Sequence, residues 1–132
     1  MARDMAGSPR EYALVLNAGS SSIKFAVYRG AHPAAWDLDA RGQIGGIGGI
    51  GASTGLVVKD EAGAVLADTA LPGGAADGAA AVEHVLRWIA DRYRGSRVLG
   101  VGHRVVHGGA AFGAPCIVTP EVLAGLRALV PL

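Results

Sequence analysis

Two short apolar runs, YALVL at 12–16 and IKFAVY at 23–28, are separated only by NAGSSS. Both read as strands, the second being rich in β-branched and aromatic residues, which favour extended backbone. A link this short, built from Asn, Gly, Ala and Ser, turns the second run back on the first as a tight antiparallel hairpin. RGQIGG follows, then GLVVKD at 55–60 and GAVLAD at 63–68, and these read as further antiparallel strands. The period then changes. From Ala75 to Arg94, residues Ala81, Val82, Val85, Leu86, Trp88, Ile89 and Tyr93 recur with helical spacing, and Gly95 is placed to end the helix. RVLGVGHRVVHGG at 97–109 reads as a strand that starts buried and ends in glycines. TPEVLAGLRALV at 119–130 reads as a helix with Thr119 as N-cap, Pro120 at the first position and Glu121 in the first turn. Hairpins, then a crossover helix, a strand and a helix define an α/β domain with a mixed sheet.

Composition narrows the function classes. A chain of 132 residues with 51% hydrophobic and 17% charged residues forms one folded domain. Its formal net charge of +1 gives no global field for nucleic acid or an anionic membrane, so any anion must be recognised locally. The single cysteine, Cys116, has no disulfide partner in the chain, which fits a reducing compartment; it is expected to be a buried, inert thiol. The N-terminus carries Asp4, Pro9 and Glu11 where a signal peptide needs an apolar stretch, and no run reaches the roughly 18 apolar residues of a membrane span. A soluble cytoplasmic protein is expected. The glycine-rich IGGIGGIG at 44–51 lacks G-x-G-x-x-G spacing before a helix and has no following Lys-Ser/Thr pair, so it reads as a flexible or bulged strand end.

Two segments carry chemistry. In NAGSSSIK, a tight turn exposes backbone N–H groups, small side chains let a phosphate approach, and serine hydroxyls add donors. Strand alternation puts Ser22 and Lys24 on one face, with the ammonium beside the turn. Asn17 offers a carbonyl oxygen of the kind that Mg²⁺ accepts. A polar β-turn followed by a half-exposed strand accounts for the same residues. In VGHRVVHGG, His103 and His107 have a spacing that would chelate metal on a helix, but Val105 and Val106 favour a strand, where positions four apart are about 13 Å from each other. Zinc is therefore not expected. The same alternation puts Arg104 and Val106 on one face, a pairing suited to a carboxylate with a very short alkyl tail. An ordinary strand-end ion pair is the other reading of Arg104.

VLNAGSSSIKFAVY and VGHRVVHGGAAF resemble the two N-terminal signature motifs of the acetate kinase (acetate/propionate kinase) family, and ARGQIGGIG and PEVLAGLRALVPL resemble it in the same order. The resemblance runs from about Tyr12, leaving residues 1–11 as an N-terminal extension and 12–132 as an N-terminal kinase domain that is apparently truncated. It implies the actin-like, ribonuclease H-like ATPase fold, the first of two such domains in the family. It also implies a homodimer, and Mg²⁺-dependent phosphorylation of acetate by ATP to acetyl phosphate. Carried over residue by residue, it makes Asn17 the magnesium-associated asparagine, Ser20 and Ser22 the phosphate-side serines and Lys24 the ATP-associated lysine. Arg104 becomes the arginine that binds the substrate carboxylate, and Val106 a wall of the small methyl pocket. The family's acid/base aspartate, transition-state histidine, second arginine, magnesium-associated glutamate and adenosine pocket are expected in the missing C-terminal part, so the isolated chain is expected to be inactive. Two other readings of the same fold stand beside this one: a non-catalytic phosphate- or nucleotide-binding module, and an interaction domain whose apolar last helix docks on a partner.

Overall fold

The NAGSSS link reverses the chain as its composition requires. Strand β1 (Glu11–Ala18) and strand β2 (Ser22–Arg29) pair antiparallel, and the Gly19 N–H donates to the Ser22 carbonyl at 2.8 Å to close the turn. The computed structural model describes residues 10–19, 21–30, 36–48, 54–71, 74–104 and 113–128. Within them, β3 (Asp37–Gly45), β4 (Gly55–Asp60) and β5 (Val65–Ala70) continue the antiparallel meander, and β6 (Arg97–His103) joins β1 in parallel at the opposite edge. The sheet order is β5-β4-β3-β2-β1-β6, so the chain must cross from one edge to the other between β5 and β6. Helix α1 (Gly78–Arg92) makes that crossing. Helix α2 (Pro120–Arg127) follows β6.

One sheet face is the core. Leu14 and Leu16 of β1, Ile23, Phe25 and Val27 of β2, and Ala40 and Ile44 of β3 point to the side covered by Ala81, Val85 and Ile89 of α1. Gly42 belongs to this face, opposite Phe25; a Cβ there would come within 2.8 Å of the Phe25 ring and 2.7 Å of the Val57 carbonyl oxygen. Its missing side chain is what leaves room for the ring beside β3. Helix α1 starts three residues after Ala75, where the sequence reading opens the segment, because the Asp77 carboxylate accepts from the Ala80 N–H at 2.9 Å and caps it there. It ends where expected, with Gly95 at φ +78°. Thr119 caps α2 as its sequence indicates, accepting from the Val122 N–H at 3.2 Å.

Two expectations are corrected. Strand β6 does not start buried: all seven of its residues are exposed, because it is the edge strand and α1 covers the central strands instead. It also ends at His103, and residues 105–112, including Val106 and His107, lie outside the described residues. Cys116 is exposed rather than buried, since it lies in the extended approach to α2, away from the core. Among the described residues no helix is long and apolar enough to cross a membrane.

Candidate functional site

Alternation in β1 and β2 turns Asn17 and Lys24 away from the core, and the strand register makes them direct cross-strand partners. They share the sheet face that α1 leaves uncovered. Both are exposed, and Ser22, two residues before Lys24 on the same face, is half-buried beside the turn. The row continues into β3, where Gln43 is the partner of Lys24. Sequence reading passed over Gln43 because its place in the row depends on β2–β3 register, which ARGQIGG does not reveal by itself. Ser20 lies outside the described residues. The Gly19 N–H is committed to the hairpin's closing bond, so an anion at the turn would rely on the serine hydroxyls, the remaining amides and Lys24.

Arg104 reaches the same place from the far edge. Its backbone N–H donates to the Leu16 carbonyl at 3.3 Å, which continues the parallel β1–β6 ladder by one step and sets Arg104 level with Asn17. The carboxyl ends of two neighbouring parallel strands are where open α/β sheets bind ligands. Strand register sets the turn, Asn17, Lys24 and Arg104 at this end of the sheet. Arg104 also lines a cleft of about 890 Å³, whose other walls include His103, Cys116, Ile117 and Leu123. The cleft therefore presents one guanidinium against largely apolar walls. Among the described residues no three His, Cys, Asp or Glu side chains gather as a metal site. Asn17 alone supplies one neutral oxygen, a set that fits Mg²⁺ when phosphate oxygens and water complete its shell.

This mixed sheet, with its hairpins and crossover helix, is the fold of the actin-like, ribonuclease H-like ATPase domains. Within that class the chain belongs to the acetokinase family, whose model matches residues 12–132. It is 50% identical over 118 residues to acetate kinase from Rhodopseudomonas palustris (strain TIE-1), covering 87% of this chain and 28% of that protein. It is 44% identical over 121 residues to acetate kinase from Deinococcus radiodurans, covering 92% of this chain and 28% of that one. Among solved structures, Porphyromonas gingivalis acetate kinase superposes with a TM-score of 0.74 at 29% identity, over 92% of this chain and 30% of the other. The chain thus spans somewhat more than a quarter of the length of the relatives it matches, in their N-terminal portion.

Proposed function

We propose that this chain is the N-terminal part of an acetate kinase, contributing the phosphate-side and carboxylate-side contacts for transfer of a phosphoryl group from ATP to acetate. Residues 12–132 form its kinase-domain portion and residues 1–11 an extension. The observation that carries this reading is the strand register that sets Asn17 beside Lys24 and level with Arg104, at the carboxyl ends of β1 and β6. Relatives of the same family bear the name of that activity.

Acetate needs no general base, since carboxylic acids with reference pKa values near 4 are ionised at pH 7. Positioning and charge neutralisation then supply most of the rate. The Arg104 guanidinium holds the acceptor carboxylate through paired N–H donors, and Val106 limits the length of its tail. Lys24, Ser20 and Ser22 hold the transferring phosphates, and Asn17 orients the metal side. Mg²⁺, when bound, offsets the charge of the nucleotide oxygens. The cleft beside Arg104 is far larger than a two-carbon acid fills, so residues beyond the described ones would complete the acceptor pocket.

The test is a chimera in which residues 12–132 replace the matching segment of the Rhodopseudomonas palustris acetate kinase. It is expected to make acetyl phosphate, trapped as the hydroxamate. Lys24→Ala should impair kcat/KM for MgATP much more than acetate recognition. Arg104→Leu should lower kcat/KM for acetate by about 2–5 kcal/mol, as for truncating one partner of a hydrogen-bonded charge pair, and Arg104→Lys should restore only part of it. Val106→Ala should shift preference toward propionate by about 1–3 kcal/mol per added methylene. Intact turnover in Arg104→Leu together with unchanged chain-length preference in Val106→Ala would overturn the acceptor assignment.

A further inference from the structure

The uncovered sheet face carries an arrangement of which the proposed site uses only Lys24. Arg41 of β3 and Lys59 of β4 are direct cross-strand partners. Arg41 is also the partner of Ala26, which shares its face with Lys24, so Lys24, Arg41 and Lys59 all lie on the uncovered side. All three are exposed, and among the described residues none of them takes part in an ion pair. Like charges directly opposite each other weaken a sheet. A register that places two cations face to face, with a third on the diagonal about 7–8 Å away, leaves a demand for negative charge between them.

We infer that Lys24, Arg41 and Lys59 form an anion-binding strip for an extended phosphate chain, leading away from the serine turn across the sheet. Continuity with the turn selects the anion: Lys24 lies one same-face step along β2 from Ala26, the residue opposite Arg41, and it also adjoins Ser22. A chain of linked phosphates can follow such a row from Ser22 to Lys59. On the same face Asp68, opposite Val57, bounds the strip toward β5. The choice of phosphate rests on the reading of the turn given above. The strip is tested by binding to this chain and the turn by turnover in the chimera, so either can fail without the other.

The experiment is titration calorimetry of the 132-residue chain with inorganic tripolyphosphate and, separately, with ATP, at matched ionic strength. Arg41→Gln combined with Lys59→Gln is expected to weaken tripolyphosphate binding by about threefold or more, the effect of removing two exposed charge contacts. An equal loss for ATP identifies the nucleotide's own phosphates as the ligand, and a loss confined to tripolyphosphate identifies a free polyphosphate. Arg41→Glu keeps the claim testable through stability. It converts the facing pair to opposite charges, so the anion-free variant should melt above the unsubstituted chain and lose its tripolyphosphate-dependent rise in Tm. A smaller change in affinity for both anions, or a Tm rise reproduced by sodium chloride at the same ionic strength, overturns the strip.

Discussion

The Tyr93 hydroxyl donates to the Asp39 carboxylate at 2.6 Å, and Arg29 donates to the other oxygen of that carboxylate at 3.2 Å. The Tyr93 ring lies 4.5 Å from that of Tyr12, so one side chain joins the end of α1 to β1 and β3. Burial pushes the phenol well above its ordinary range, the Asp39 hydrogen bond and charge push it further, and Arg92 offsets part of the rise. A raised acid keeps its proton in the fold after the unfolded chain has lost it. Its contribution to stability is therefore complete below about pH 10, the ordinary tyrosine value, and declines as the pH rises beyond it. Tyr93→Phe should cost about 1–2 kcal/mol at pH 7, measured by urea denaturation, because it removes a hydrogen bond to a charged group. The gap between the two proteins should narrow above pH 10. A gap that stays constant to pH 11 would show that this hydroxyl does not hold its proton as described.

Among the elements, those set by local pattern were legible in the sequence and those set by long-range register were not. The β1–β2 hairpin follows from one short polar link, and α1 from the recurrence of Ala81, Val85 and Ile89. The face shared by Ser22 and Lys24 follows from alternation alone. The level at which Arg104 meets Asn17 does not, because it depends on β6 pairing with β1 across four intervening strands and a helix. The facing cations Arg41 and Lys59 were hidden for the same reason, since their positions are related only through β3–β4 register. Gly42 is a third case. In ARGQIGG it looks like a weakness in a strand, yet it makes room for Phe25 at the centre of the core. Gly42→Ala should therefore destabilise the chain by about 1–3 kcal/mol, the range for overpacking, because a carbonyl fixed in the β4 ladder cannot retreat from the new methyl group. A Gly42→Ala variant as stable as the parent in thermal melts would mean that β3 and β4 separate freely, contrary to their pairing.

At the scale of the molecule, the two sides of the sheet have different fates. The side under α1 is a complete small core, while β6 leaves Val98, Leu99 and Val101 about half exposed, and α2 buries none of its residues. The apolar character of RVLGVG made β6 read as buried, and what the sequence could not reveal is that nothing among the described residues covers it. Of these uncovered groups Val101, with Leu123 and Leu126 of α2, lines the Arg104 cleft, so the part of the proposed site that would close over acetate and hold the adenosine is not supplied by the described residues. The relatives, of which this chain spans 28%, have the length to supply it. Purified 132-residue chain is accordingly expected to show no acetyl phosphate formation in the hydroxamate assay and only weak ATP binding. In hydrogen exchange, the amides of β1 to β4 should be well protected while those of α2 exchange rapidly, since only the first set lies within a packed sheet and core. Turnover at an ordinary enzymatic rate, or protection of α2 equal to that of β2, would show that these residues close the cleft by themselves.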